Sequence, residues 1–478
     1  MPRDLKIKGD WSWCEGINHF VMHVYLHQPD ERVPGISAWF GTDFNRHNTW
    51  FPYSKSYFDY IRRSCALLQS GSPVADVAYF IGEDVPKMTG DREPALPEGY
   101  DYDFINTEVL MKDARVIDRR IVLSSGASYA ILVLPPKKTM RPETLAKIAE
   151  LVKDGACILG NPPEHSPSGR NYPECDNKIK ALTKEMWGDH AQTLKGRRYG
   201  KGRIFAGVEL KEALTAIGVT EDCILPKDFL YTHRQEKHAH LYFVSNQQNI
   251  ACTDTIAFRV SDLQPELWNP VTGEIRTLTC YRIAKGKTYI PLEFGPGESW
   301  FIVFRHKKIE SAVGSNFPTQ SLLLNIEGNW NIEFKPVYAS PFKQVQTQLT
   351  DWSKNKDQRV KYYSGKATYN ISFTYNDEMN ENIFLDLGKI EGMATVRLNG
   401  YEYATLWHPP YRINVSRQLQ SGINNLEIDV VNCWWNRLVG DAQPEAQPVT
   451  WSSFTGWNKN SKLLPSGLLG PVRLLLNK

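Results

Sequence analysis

Residues 10–51 read DWSWCEGINHFVMHVYLHQPDERVPGISAWFGTDFNRHNTWF, a stretch that sets two polar and aromatic clusters beside an apolar run. The preceding residues 3–16 have the pattern of a short amphipathic helix that ends at Gly16. INHFVMHVY is rich in β-branched and aromatic residues, which predicts a strand. His23, Tyr25 and His27 are spaced by two, so they share one face while the chain is extended.

A strand with polar residues at its carboxyl end, then a polar loop, then a helix is typical of a closing unit of a (β/α)8 barrel. The loop is FNRHNTW, and SKSYFDYIRRSCALLQSG follows it as a helix that ends at Gly71. The helix is expected to bury Tyr57, Ile61, Cys65 and Leu68. Residues 1–71 are therefore predicted to be the last units of an incomplete barrel. The chain starts inside such a unit, as a fragment of a larger protein would.

Residues 72–220 change pattern and predict an open, mostly parallel α/β sheet. VADVAYFI and YAILVLPP are near-continuous apolar runs, as in strands buried on both faces. PETLAKIAELVKDG has Pro142 at its first helical position and Gly155 at its end. GRRYGKGRIF precedes a strand instead of following one, so it does not predict a nucleotide site. GEDVP (82–86) ends the first strand, where it could reach a neighbouring site.

The remaining chain predicts two all-β domains. Residues 221–310 contain short strands with turn signals, including hairpins at NPVTGE and at PLEFGPGESWF, and predict a small antiparallel sandwich. RHKKIESAVGSNFPTQ reads as a linker. Residues 311–478 have strands at jelly-roll spacing, and Asn399-Gly400 supplies the left-handed turn of a further hairpin.

Composition excludes several classes of protein. The 478 residues carry 56 basic and 53 acidic side chains without long like-charge runs, so no nucleic-acid footprint is present. Eight scattered cysteines indicate neither a zinc site nor a disulfide framework. No apolar run approaches the roughly 20 residues of a membrane span. The 14 Trp, 22 Tyr and 20 Phe suit β-sandwich cores and also carbohydrate sites.

The polar cluster predicts a sugar-binding wall. Asn and Arg side chains present paired donors to sugar hydroxyls, neutral His can donate and accept, and Trp offers a stacking face. The predicted substrate-facing residues are His23, Tyr25, His27, Asn45, Arg46, Asn48 and Trp50. The alternative is that the histidines satisfy backbone carbonyls at a strand-loop junction. Trp407, Tyr411, Trp434 and Trp435 are further candidates for stacking, with core packing as the alternative for them.

Two resemblances to known families are carried by these motifs. PRDLKIKGDWSWCEGINHFVMHVYLHQP, FNRHNTWF and LLQSGSPVADVAYFIGEDVP resemble the end of the catalytic barrel of family 106 glycoside hydrolases, the α-L-rhamnosidases, and its junction with the next domain. That α/β domain is similar to a glutamine-amidotransferase-like module. LNGYEYATLWHPPYRINVSRQLQSGINNLEIDVVNCWWNRLVGD resembles the galactose-binding-like jelly roll of family 2 glycoside hydrolases.

The rhamnosidase resemblance implies inverting hydrolysis of α-L-rhamnosides in plant or bacterial polysaccharide, with calcium near the sugar and no organic cofactor. The implied partners are a rhamnose-containing glycan and the preceding part of the same enzyme, which would act in the periplasm or outside the cell. The family's catalytic glutamates lie on barrel strands upstream of the matching segment. Glu15, Asp30, Glu31 and Asp43 are the carboxylates near the cluster, and none is assigned a catalytic role.

Three hypotheses follow. The first is that the chain is the C-terminal part of a rhamnosidase-like enzyme, inactive alone. The second is a non-catalytic set of carbohydrate-binding modules, with sugar held by the jelly roll. The third is a purely structural or interaction fragment whose barrel remnant is misfolded or covered by a partner.

Overall fold

The computed structural model describes residues 1–83, 90, 92–188, 196–307, 314–377 and 381–478. Within these ranges the chain forms helical, mixed α/β and all-β layers in succession. No helix there is both long enough and apolar enough to cross a membrane. Asp84–Pro86 of the GEDVP motif and residues 308–313 of the predicted linker lie outside the described residues.

The first 71 residues are held together by two helices. The elements are α1 (Pro2–Cys14), β1 (Pro34–Gly35), a 3-10 turn (Phe51–Tyr53) and α2 (Lys55–Leu68). The predicted apolar stripe of α2 is confirmed, since Tyr57, Ile61, Cys65 and Leu68 are all buried. Both helices pack their aromatic residues into a core shared with the later domains.

INHFVMHVY does not form the predicted strand. Residues 17–25 have no assigned secondary structure. Val24 donates its N–H to the Thr42 carbonyl at 3.3 Å and accepts from the Phe44 N–H at 2.9 Å. A strand needs a continuous ladder of such bonds with a neighbour. The two bonds of Val24 do not extend into such a ladder.

The α/β layer is an open sheet in the order β10-β11-β9-β8-β3-β4, parallel except for β10. The predicted mostly parallel sheet is thus confirmed. A separate antiparallel sheet has the order β5-β6-β7. The elements are β2 (Ser72–Pro73), β3 (Val77–Phe80), β4 (Tyr102–Ile105), α3 (Thr107–Lys112), β5 (Arg115–Ile117), β6 (Arg120–Val122), β7 (Ser128–Tyr129), β8 (Ile131–Val133), α4 (Pro142–Asp154), β9 (Cys157–Leu159), α5 (Glu174–Trp187), β10 (Arg197–Tyr199), β11 (Gly202–Phe205) and α6 (Leu210–Ala216).

Glu83, the described acidic residue of the GEDVP motif, has a structural contact. Its carboxylate accepts from the Arg141 backbone N–H at 2.7 Å and from the Thr144 hydroxyl at 2.7 Å. An anion at this position satisfies free N–H groups at the start of α4 and complements the helix dipole.

The next domain is a sandwich of two sheets that share one core. Their orders are β12-β15-β19-β18 and β17-β16-β20-β14-β13-β2. The strands are β12 (Cys223–Ile224), β13 (Phe229–Gln235), β14 (His240–Asn246), β15 (Cys252–Phe258), β16 (Leu263–Trp268), β17 (Ile275–Thr277), β18 (Arg282–Ala284), β19 (Lys287–Phe294) and β20 (Ser299–Lys307).

One of the two predicted hairpins in this domain is wrong. The NPVTGE hairpin is confirmed, because β16 and β17 pair antiparallel around it. The strands on either side of the GPGE turn are not partners: β19 pairs with β15 and β18, whereas β20 pairs with β14 and β16. The turn therefore carries the chain from one sheet of the sandwich to the other.

The C-terminal domain is a second all-β unit whose two larger sheets enclose a common core. The sheet orders are β21-β33-β25-β29, β23-β22-β24-β30-β27-β28 and β26-β32. Asn399 and Gly400 have φ values of 51° and 85°, which confirms the predicted left-handed turn between β27 and β28. The elements are β21 (Gln320–Asn325), β22 (Trp330–Lys335), β23 (Phe342–Gln346), a 3-10 turn (Trp352–Lys354), α7 (Gln358–Lys361), β24 (Lys366–Tyr375), β25 (Ile383–Asp386), β26 (Lys389–Glu391), β27 (Met393–Leu398), β28 (Tyr401–Glu402), β29 (Arg412–Asn414), β30 (Gly422–Val431), α8 (Trp435–Asp441), β31 (Trp451–Ser452), β32 (Gly467–Gly470) and β33 (Arg473–Asn477).

A buried ion pair joins α1 to the sandwich. The Lys6 ammonium donates to the Asp10 carboxylate at 2.7 Å, and both side chains are fully buried. Lys6 also donates to the Gly297 carbonyl and the Ser299 hydroxyl, each at 2.8 Å. Asp10 also accepts from the hydroxyl of Tyr60 in α2. Because every charge here has close partners, this contact fixes where the N-terminal stretch sits.

Candidate sugar-binding wall

The segment between α1 and β1 presents one exposed face. From residue 20 to residue 28, exposure alternates: the odd-numbered residues are exposed and the even-numbered ones are buried or half-buried. His23, Tyr25 and His27 therefore lie on the same open side, and Tyr25 has 69% of its surface exposed. The predicted shared face is therefore present as alternating exposure, even though no regular strand forms.

Two further aromatic residues extend this face, and the sequence interpretation did not include them. The Phe40 ring stacks on the His23 ring, with centroids 5.3 Å apart and planes 11° from parallel. Trp39 contacts Phe40 edge-on and is 78% exposed. Their signal in the sequence is an adjacent pair of large aromatic residues in a Pro/Gly loop, where core packing is uncommon. We call the exposed side chains of Val21, His23, Tyr25, His27, Trp39 and Phe40 the open face.

The amide and guanidinium groups of the polar loop mainly shape the loop itself. Asn45 is buried, and its Oδ1 accepts from the His47 backbone N–H at 2.9 Å. The Asn48 amide donates to the Asp43 carbonyl at 2.7 Å. Arg46 donates to the Gln28 carbonyl at 3.0 Å, with about half of its side chain still exposed. Among these, Arg46 retains surface for a ligand.

Trp50 lies in the core instead of on the open face. It is 2% exposed, and the Phe44 ring meets it edge-on with centroids 5.7 Å apart. Its ring has no free side for a sugar in this structure, contrary to the stacking role expected from the sequence. The physical reason is that α2 follows at once and closes over the indole.

The carboxylates near the open face are occupied by neighbouring donors. The Asp43 carboxylate accepts from the Ser37 hydroxyl at 2.6 Å. A hydrogen bond from Arg46 holds the pKa of Glu31 below its usual value, and one from Arg32 lowers the pKa of Asp30 to about 2. Asp30 and Glu31 therefore remain anionic and paired near neutral pH, so neither has the raised pKa that a general acid requires.

Glu15, the fourth carboxylate near the cluster, faces the α/β layer. It accepts from the Tyr102 hydroxyl at 3.2 Å and lies 3.9 Å from the Arg92 guanidinium. Its contacts therefore connect α1 to strand β4 and not to the open face.

In the described part of the chain, no cluster of acidic, histidine or cysteine side chains marks a site for the calcium that the family resemblance implies. There, no three or more His, Cys, Asp or Glu side chains converge as a metal-binding group. Asp43, the carboxylate closest in sequence to the polar cluster, already accepts from Ser37. Calcium also binds backbone carbonyl and amide oxygens, so the calcium site stays a prediction of the family resemblance.

The C-terminal domain holds the polar loop from behind. The Trp434 indole donates to the His47 carbonyl at 2.7 Å, and the Thr49 hydroxyl donates to the Asn432 carbonyl. Trp434 is itself buried, as are Trp407 and Tyr411. Trp435 is half-buried and donates to the Lys462 carbonyl at 2.8 Å. For the three buried rings, core packing is confirmed over the alternative of sugar stacking.

Comparison with known proteins agrees with this architecture. A family model described as α-L-rhamnosidase matches residues 1–283. A model of the glycosyl hydrolase 2 galactose-binding domain-like unit matches residues 337–467.

Two relatives are similar over almost the whole chain. A rhamnosidase from Novosphingobium sp. PP1Y is 36% identical with a TM-score of 0.93, and the match covers 99% of this chain and 46% of that one. A Formosa agariphila protein that carries a provisional name as a beta-glucuronidase is 24% identical, over 99% of this chain and 61% of its own length. The chain thus spans about half the length of the first and about three fifths of the second. Because the rhamnosidase model covers more than half of its residues, this chain belongs to family 106 of the glycoside hydrolases, the α-L-rhamnosidase family.

Proposed function

We propose that this chain is the C-terminal part of an inverting α-L-rhamnosidase and that the open face is one wall of its sugar site. The observation that carries the proposal is the exposed series His23, Tyr25 and His27, which alternates with the buried residues Val24 and Gln28. Imidazole and phenol groups both donate to and accept from sugar hydroxyls. The family membership and the 46% coverage of the rhamnosidase structure support the substrate class and the partial length.

The side chains of the open face change from apolar to polar along the chain, as they would on a barrel strand. Val21, at its start, is apolar and 86% exposed, whereas Tyr25 and His27 follow at its carboxyl end. In a (β/α)8 barrel, inward side chains near the start of a strand fill the core, and those at the carboxyl end line the catalytic face. We therefore assign Val21, Trp39 and Phe40 to packing against the preceding part of the parent enzyme, and Tyr25 and His27 to its sugar.

Inverting hydrolysis needs two carboxyl groups roughly 6.5–9.5 Å apart, one as general acid and one as general base for water. Asp30, Glu31 and Asp43 are bound by their own neighbours as described above. We place the acid and the base in the preceding part of the parent enzyme. On this proposal the chain binds sugar and has no turnover of its own.

An assay with an aryl α-L-rhamnoside tests the proposal. The purified chain is expected to show no release of aglycone above background, and addition of the preceding part of the parent enzyme is expected to produce it. Robust turnover by the chain alone that Asp43→Asn abolishes would overturn the assignment. Asp30→Asn is the matched control, because it removes an exposed carboxylate of the same stretch.

A further inference from the structure

A loop of the C-terminal domain reaches across to the proposed sugar wall. Residues 442–466 leave α8 and return to β32, and within this excursion β31 pairs in parallel with β1. The Trp451 N–H donates to the Val33 carbonyl at 2.7 Å, and the Ser453 N–H donates to the Gly35 carbonyl at 3.2 Å. The two segments are more than 400 positions apart in sequence, so this pairing is a tertiary contact between domains.

Side chains reinforce the pairing at its far end. The Ser37 N–H donates to the Ser453 hydroxyl oxygen at 3.0 Å, and that hydroxyl donates to the Ser37 carbonyl at 3.1 Å. The Ser37 hydroxyl in turn donates to Asp43. The excursion is thereby connected to the polar loop as well as to β1.

The excursion is also braced from its own domain. The Asp441 carboxylate accepts from the backbone N–H groups of Val449 and Thr450 at 3.1 and 2.9 Å. Arg437 fixes that carboxylate through an ion pair of 2.7 Å. A loop with contacts at both ends is preorganised, which lowers the entropy that a ligand must overcome.

Two aromatic side chains stand open on this braced loop. Arg32 lies against the Trp451 ring, 3.9 Å from its centroid, and Asp30 holds Arg32 with a 2.7 Å hydrogen bond. Trp451 nevertheless keeps 37% of its surface exposed, and Phe454 keeps 40%. Because Arg32 is already neutralised by Asp30, the patch presents aromatic surface without a free charge from that pair.

The loop that carries these rings contacts the residues that follow His27 in the chain. Gln28, the residue after His27, donates its amide to the Ile36 carbonyl at 2.6 Å and accepts from the Ile36 N–H at 2.8 Å. Ile36 follows Gly35, which pairs with Ser452 at the usual strand spacing of about 4.8 Å. A short chain of contacts therefore runs from Gln28, the neighbour of His27 in sequence, to β31.

We propose that Trp451 and Phe454 bind the neutral sugar residue attached to the rhamnose, by stacking against its apolar face. This inference rests on the proposed function and adds the C-terminal domain to the substrate site. Tyr25 and His27 of the open face bind the rhamnosyl residue, and the excursion distinguishes a disaccharide from a simple rhamnoside. Aromatic rings without a free charge favour a pyranose ring over a charged group.

The test uses the whole chain with two probes, methyl α-L-rhamnopyranoside and an α-L-rhamnosyl-(1→4)-glucoside. The indole N–H signals of the protein labelled with [15N]tryptophan are followed by NMR, and the Trp451 signal is identified by its loss in Trp451→Phe. We expect the disaccharide to shift the Trp451 signal and the monosaccharide to leave it in place. Trp451→Ala is expected to raise the Kd for the disaccharide about tenfold. The Kd for the monosaccharide is expected to stay within about twofold of that of the unaltered chain.

Three comparisons separate this inference from the proposed function. Phe454→Ala is expected to reproduce the loss without removing the ring that Arg32 contacts, and Tyr401→Ala, which changes an exposed ring elsewhere, is expected to have no effect. If His27→Ala weakens both probes while Trp451→Ala and Phe454→Ala change neither, the excursion has no part in binding and the proposed function stands. If the unaltered chain binds neither probe, both proposals fail.

Discussion

The buried pair of Lys6 and Asp10 gives a quantitative test of what holds the N-terminal unit in place. Asp10→Ala removes an acceptor that lies 2.7 Å from the Lys6 ammonium and 3.0 Å from the Ser245 hydroxyl. The ammonium stays fully buried without a counter-charge, since no part of the Lys6 side chain is exposed. Losing one partner of a buried ion pair costs about 3–5 kcal/mol.

Hydrogen exchange measured by mass spectrometry reports this cost locally, which suits a chain of several domains that does not unfold as one unit. Amides of α1 and α2 should exchange faster by roughly two to three and a half powers of ten in Asp10→Ala. Asp4→Ala is the matched control on the same helix, because Asp4 is 60% exposed and its pairing with the N-terminus is screened by solvent. Exchange within threefold of the unaltered chain in Asp10→Ala would refute the reasoning.

A second variant separates the charge from the packing. Lys6→Met together with Asp10→Leu removes both charges, so no uncompensated ion remains in the core. We expect this pair of changes to destabilise α1 by clearly less than Asp10→Ala does. A larger loss in the double variant would mean that the hydrogen bonds to Gly297 and Ser299 outweigh the ion pair.

Three further predictions concern the β domains. Burial, and then the charge of His233, lower the pKa of His240 to about 4. The unfolded chain takes up that proton near pH 6.5, so the free energy of unfolding should fall as the pH drops from about 6.5 to about 4. His240→Gln should flatten this part of the pH profile measured by urea unfolding. Burial raises the pKa of Glu298 to about 7. The unfolded carboxyl releases its proton near pH 4.3, so the free energy of unfolding should fall as the pH rises from there to about 7. Glu298→Gln should therefore raise the Tm at pH 8 but not at pH 4. Gly400→Ala places a methyl group at a φ of 85° with no atom within 4 Å, so calorimetry should show a loss of stability of about 1 kcal/mol from backbone strain alone. Gly169→Ala, in equally open space without a positive φ, should show no such loss.

Local patterns predicted the elements whose formation depends on local physics. The stripe of α2 required only that Tyr57, Ile61, Cys65 and Leu68 share a helix face, and all four are buried. The turn at Asn399-Gly400 required only residues that tolerate positive φ. These features are readable from sequence because the decisive interactions span a few residues.

Pairing between strands was less readable, because it depends on partners that are distant in sequence. The glycine and proline residues at 295–297 correctly marked a reversal of the chain, but the strands on either side entered different sheets. INHFVMHVY likewise has the alternation of a strand and shows it as alternating exposure. Regular ladder formation required a neighbouring strand along its length, which local composition does not specify.

Side-chain type was a partial guide to the site. His23, Tyr25 and His27 are exposed together, as their spacing predicted. Asn45 and Asn48 instead satisfy backbone groups of their own loop, and Trp50 fills the core. An amide or an indole can serve a ligand or the fold equally well, and the choice depends on what packs behind it.

The C-terminal domain packs behind the wall, and its contacts there differ from those of a separate carbohydrate-binding module. Trp434 and Asn432 hold the polar loop, while β31 continues the edge formed by β1. A separate carbohydrate-binding module would carry its own platform, yet the rings predicted for that role, Trp407 and Tyr411, are buried. The exposed ring of Trp451 instead stands where the domain touches the N-terminal stretch. If the two proposals hold, the domain contributes to sugar recognition through its contact with the wall, and a change at that contact should alter which glycan binds before it alters the fold of either part.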